Sequence, residues 1–160
     1  MNNEILKLEP SKVWYYFQEI LNIPRPSKKE GKIIDYLMRF GKEHGLETLK
    51  DEVGNVLIRK PATPGMENRK TVVLQSHIDM VCEKNSDVDH DFENDPIEAY
   101  IEDGWVTAKA LRWAATTALA WRPNWPCSLR TTSNTVPSNA CSLWTKKPGL
   151  PALLACSRDS

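Results

Sequence analysis

His77 and Asp79 stand two residues apart where an apolar run gives out, in the stretch TVVLQSHIDMV at residues 71–81. An imidazole and a carboxylate can ligate a metal, move a proton or orient one another. In an extended segment side chains alternate, so these two share a side. A metal-bound imidazole usually donates its other ring N–H to a partner that fixes its tautomer. Asp79 can therefore serve some other histidine in that way, bind metal itself, or orient His77. The plainer alternative is that His77 caps a strand end and Asp79 starts a turn.

The elements that would hold this pair follow from local pattern. Ser11 is placed to N-cap a helix over KVWYYFQEIL, where Val13, Phe17, Ile20 and Leu21 recur near helical spacing. Pro24 and Pro26 break it. Ser27 and Glu30 have the spacing of a capping box for a second helix, with Ile33, Ile34, Leu37, Met38 and Phe40 on its apolar face and Gly45 at its stop. LETLKDE and NVLIRK flank Val53-Gly54 as a hairpin would, with Asp51 and Asn55 forming the turn. PATPGMENR reads as a surface loop. TVVLQ predicts a strand inside a sheet covered on both faces. Its carboxyl end would face the crevice where open α/β sheets bind ligands. This order of helices and strands predicts an α/β fold.

A chain of 160 residues can bury one real core, and its formal net charge of zero gives no bulk electrostatic case for nucleic acid or an anionic membrane. The start, MNNEILKLEPSKVW, lacks a basic stretch followed by an apolar one, and no apolar run approaches membrane-spanning length. A cytoplasmic protein is the expectation. The averages conceal a break, however. Residues 1–109 hold 20 of the 21 acidic residues, whereas residues 110–160 hold one acid, Asp159, against six basic residues. The latter also carry Trp113, Trp121, Trp125 and Trp144, with Cys127, Cys141 and Cys156. Domain boundaries seldom shift composition so abruptly.

The first part resembles a known family. The run from Ile23 to Asn85, containing IPRPSKKE, DEVGNVLIRKPATPGMENRK and SHIDMV, is similar to the N-terminal part of the aminoacyl-histidine dipeptidases, or cytosol non-specific dipeptidases. These belong to a larger family of co-catalytic zinc metallopeptidases. The likeness continues through HDFENDPIEAYIEDGWVTAK and stops at Lys109. It implies an N-terminal fragment of an α/β zinc-peptidase catalytic domain, dipeptide substrates, two zinc ions per intact site and a homodimer. It also implies that His77 binds one zinc and that Asp79 is the catalytic aspartate that orients a metal ligand.

A two-zinc hydrolase further needs a bridging carboxylate, more ligands and a general base. The family is expected to continue roughly GTTLGADNGIG and later MDEETG; neither string is present. A one-nucleotide slip accounts for both. Tryptophan has only the codon TGG, so in the shifted frame each codon after a tryptophan begins with G. ALRWAATTALAW, residues 110–121, then decodes as G-T-T-L-G-G-D-N-G-I-G-V, and WTKKPG, residues 144–149, as M-D-E-E-T-G. Residues 110–160 are thus read as a frameshifted tail, not a native domain, expected to be disordered or poorly packed. The truncated chain is expected to be inactive.

The alternative is a non-enzymatic binding module in which SHIDM is structural and the aromatic, proline-rich tail docks a partner. The tail cysteines lack zinc-knuckle spacing, and a cytosolic setting disfavours disulfides. Cys82 is expected to be a buried small side chain, His44 to meet the last carbonyls of the second helix, and His90, within SDVDHDFEND, to face solvent.

Overall fold

In a computed structural model the chain is described over residues 4–109 and, for backbone pairing, 139–145. Trp113, Trp121, Trp125, Cys127 and Cys156 lie outside the described residues. A 3-10 turn, Ile5–Lys7, precedes helix α1, Ser11–Leu21, and helix α2, Gly31–Glu43. Strands β1, Glu47–Lys50, β2, Val56–Lys60, and β3, Thr71–His77, come next, followed by β4, Ala99–Glu102, β5, Trp105–Ala108, and β6, Asn139–Thr145. Helices and strands mix as the α/β expectation required.

The helix faces follow the apolar spacing, but both N-terminal caps differ from expectation. Pro10 occupies the boundary of α1, and Ser11 is its first helical residue. The Ser11 N–H instead donates to Glu9 Oε2 at 2.9 Å. Ser27 does not cap α2, which begins four residues later behind Glu30. Glu30 spends an oxygen on the Lys28 N–H at 2.6 Å. The capping box fails because Lys28 sits at φ 75°, which turns the chain before it can enter the helix. The far end of α2 follows the sequence: His44 Nδ1 lies 2.9 Å from the Phe40 carbonyl oxygen, and Gly45 is left-handed at φ 64°.

Two hairpins carry the turn chemistry written in the chain. Asp51 Oδ1 accepts from the N–H groups of Gly54 and Asn55, at 2.8 and 2.7 Å, and joins β1 to β2. Partial burial pushes the Asp51 carboxyl up. The Asn55 side chain and the backbone N–H groups of Asn55, Gly54 and Val53 outweigh that and hold it below its ordinary value. Between β4 and β5 the two-residue loop Asp103-Gly104 takes φ 50° and 80°, the pair of positive values that a type I′ turn needs.

The main sheet runs β1-β2-β6-β3, with β1, β2 and β6 antiparallel and β6 parallel to β3. This arrangement bears on two expectations. Asn139–Thr145 belongs to the segment read as a poorly packed tail, yet it forms a strand between β2 and β3. Strand pairing uses backbone N–H and C=O groups that any proline-free segment supplies, and NACSLWT contains neither proline nor glycine. Nor is β3 covered on both faces: Val73 is 42% exposed, and among the described residues β3 lies at the end of the four-stranded order. Among the described residues α2 packs on β1 and β2 instead.

Two apolar clusters meet at the end of β3. Ile78 joins Ile20, Ile33, Leu37, Phe40 and Val56 in one, while Met80 joins Ile5, Phe17, Leu21 and Ile97 in the other. The backbone on both sides of Asp79 is therefore anchored by buried side chains. Lys29 forms an ion pair with Glu93, and Lys32 Nζ donates to the Glu93 carbonyl at 2.6 Å, tying the 91–95 loop to the start of α2.

Candidate metal centre

The expected pair is formed. His77 is the last residue of β3, and its Nδ1 lies 2.9 Å from Asp79 Oδ1 and 3.1 Å from the Asp79 carbonyl oxygen. Nδ1 donating to this carboxylate leaves the lone pair on Nε2, so Nε2 is the atom with which this imidazole would ligate a metal. Asp79 is buried, whereas the His77 side chain is 39% exposed. That division suits a ligand held from behind and presented toward solvent.

Asp79 has a second partner that the sequence reading assigned elsewhere. Ser27 Oγ donates to Asp79 Oδ2 at 2.6 Å, across 52 positions of chain. The loop that carries Ser27 pairs with the end of β3. The Met80 N–H donates to the Arg25 carbonyl at 3.0 Å, and the Ser27 N–H to the Met80 carbonyl at 3.2 Å. Pro26 and Met80 form a parallel bridge. The signal in the sequence was IPRPS itself, where two prolines fix the chain direction just before a hydroxyl.

Arg25 belongs to this loop and is 1% exposed. Its Nη1 donates to the carbonyls of Ile20, at 2.7 Å, and Ile23, at 3.3 Å, closing the end of α1. Nε and Nη2 have no hydrogen-bond partner among the described residues. Burial draws this guanidinium down to about 10, and the charge of Asp79 pushes the other way. A buried cation therefore backs the Asp79 carboxylate.

Two other expectations are corrected. Cys82 is exposed rather than buried, because it follows Met80 out of the core. Desolvation nevertheless raises its thiol above the ordinary value, which disfavours the thiolate a nucleophile needs. His90 is half-buried rather than solvent-facing, with its ring edge-on to Phe92 at 4.8 Å. Among the described residues no three His, Cys, Asp or Glu side chains are grouped to hold a metal. A catalytic zinc usually takes three protein ligands, so the described residues fit one ligand's share of such a site and not the whole.

No protein-family model matches the chain. The cytosol non-specific dipeptidase of Escherichia coli strain K12 is 50% identical over 107 residues, which is 67% of this chain and 22% of that protein. The crystal structure of aminoacylhistidine dipeptidase from Vibrio alginolyticus superposes with a TM-score of 0.81 at 42% identity. This chain is a dipeptidase-like fragment. The superposition covers 91% of the fragment and 29% of the Vibrio chain, so the fragment spans less than a third of either relative. Aminopeptidase PepT from Bacillus cereus shares the fold, with a TM-score of 0.62 at 20% identity over 83% of the fragment and 35% of that chain. No helix among the described residues is long and apolar enough to cross a membrane.

Proposed function

We propose that the gene behind this fragment encodes a zinc-dependent dipeptidase, that His77 is one of its metal ligands, and that Asp79 orients the metal-bound imidazole. The single observation that carries this reading is the 50% identity to a cytosol non-specific dipeptidase over 107 residues. The His77–Asp79 contact at 2.9 Å supports it, since a carboxylate on Nδ1 is the usual backing of an Nε2 ligand. When bound, a pair of zinc ions supplies polarisation of the peptide carbonyl and a water of lowered pKa. The residues of this chain contribute one oriented imidazole and the groups behind it. Unblocked dipeptides are the proposed substrates, and a cytoplasmic homodimer is the proposed form of the intact protein.

The slipped reading frame after Lys109 belongs to the same proposal. The curated match extends over 107 residues, nearly the length that precedes the break in composition. Strand register adds support. Thr145 pairs with His77 at the end of β6, and Lys146 and Lys147, which decode as two glutamates, are the next residues in sequence. Carboxylates entering there would follow a strand whose end lies against the proposed ligand.

The test is to read the nucleotides around codon 109, restore the frame, and assay both products on unblocked dipeptides with and without a chelator. The restored protein hydrolyses them only with metal present, and the 160-residue chain does not. An uninterrupted frame through the stop codon, or metal-dependent hydrolysis by the short chain, overturns the proposal.

A further inference from the structure

We propose that Ser27 is a positioning residue for this site: its hydroxyl fixes the rotation of the Asp79 carboxylate, and through it the tautomer and aim of the His77 imidazole. The inference rests on the metal-ligand reading of His77 for its role in catalysis, but the geometry stands without it. The two oxygens of Asp79 are divided. Oδ2 accepts from Ser27 Oγ at 2.6 Å, and Oδ1 lies 2.9 Å from His77 Nδ1. A carboxylate held by one hydrogen bond can swing about its last torsion, because such a terminal rotation is broad. Held at both oxygens, it is confined to one plane. The 2.6 Å separation is that of a hydrogen bond to a charged acceptor, roughly twice as strong as a neutral one.

Ser27 is placed for this by the surrounding chain. Its own N–H donates to Met80 at 3.2 Å, and Arg25, two residues before it, accepts from Met80 at 3.0 Å, so the loop is laced to the residue after Asp79. Next to it, Lys28 is held at φ 75° with its N–H on Glu30 Oε1 at 2.6 Å, a conformation that a lysine keeps only when its surroundings demand it. Ser27 is itself exposed while Asp79 is buried, so the hydroxyl reaches the carboxylate from the solvent side. Only a short hydroxyl-bearing side chain meets these constraints. Threonine retains the donor, and alanine removes it without adding bulk.

The experiment uses the full 160-residue chain, labelled with nitrogen-15, and reads the His77 ring by long-range proton–nitrogen correlation at about pH 8, where a free imidazole is neutral. The expected wild-type spectrum is that of the Nδ1–H tautomer. Ser27→Ala shifts the population measurably toward Nε2–H, while Ser27→Thr returns it to the wild-type pattern. Zinc titration of the frame-restored protein, which would supply the remaining ligands, gives about a tenfold or greater loss of affinity for Ser27→Ala and none for Ser27→Thr. An unaltered His77 spectrum in a folded Ser27→Ala protein overturns the proposal. If that variant does not fold, the wild type decides, because a His77 found as Nε2–H cannot be donating to Asp79. If the frame-restored protein binds no zinc, the metal reading fails, while the tautomer measurement on the 160-residue chain still decides the role of Ser27.

Discussion

His77, Asp79 and Ser27 form a chain of three side chains in which only the middle one is buried. Burial sets the stakes, because a buried carboxylate must keep its partners or bear the cost of desolvation. Asp51 shows the same economy on the surface. Its folded carboxyl sits below the ordinary value, so its contribution to stability is present above about pH 4 and is lost as acid protonates it. We expect Asp51→Ala to cost about 1 kcal/mol at neutral pH, where hydrogen bonds to Gly54 and Asn55 are lost. The same variant flattens the acid limb of stability, and denaturant titrations at about pH 7 and pH 3 check both effects. Equal losses at the two pH values would show that the carboxylate is not the cause.

Helix α2 and the loop before it are where a backbone change should register most clearly. Gly41 faces β1 so closely that an added Cβ would lie 1.8 Å from Thr48 Oγ1 and 2.9 Å from Thr48 Cβ. Gly41→Ala therefore gains helix propensity but forces the helix off the strand, and we expect a net loss of about 1–3 kcal/mol by thermal or denaturant unfolding. Lys28 gives the opposite sign. At φ 75° a lysine is strained and a glycine is not, so Lys28→Gly should stabilise the chain by a few tenths of a kcal/mol to about 1 kcal/mol. A loss there would mean that Lys28 contributes contacts beyond its backbone. Both substitutions separate local backbone preference from the demands of packing, because each changes a residue whose local preference and tertiary surroundings disagree.

At the scale of the molecule, the four-stranded sheet joins the two compositional halves through β6. Inserting that strand makes β3 and β6 parallel neighbours whose carboxyl ends coincide at His77 and Thr145. In open α/β sheets that edge is where ligands bind. If β6 pairs as described, amide exchange at Val72 to Ser76 slows in the full chain relative to a version ending at Lys109. Equal exchange in the two proteins would remove β6 from the sheet. This measurement also separates the fold of the short chain from its proposed lack of activity, since a strand can pair without supplying any catalytic side chain.

Short-range physics was legible in the sequence. Alternation put His77 and Asp79 on one side, helical spacing marked Phe17, Ile20, Leu37 and Phe40 for the core, and the turn at Asp51 to Asn55 was written in residue types. Each of these depends on neighbours a few positions away. The tertiary structure alone decided that Ser27 would serve Asp79 instead of a helix, that Arg25 would be buried, and that Cys82 would not. The physical reason is distance along the chain: a serine hydroxyl can satisfy a nearby helix end or a carboxylate 52 residues away, and local pattern cannot rank the two. Packing of Ile78 and Met80 into separate clusters brought the carboxylate within reach and settled the choice.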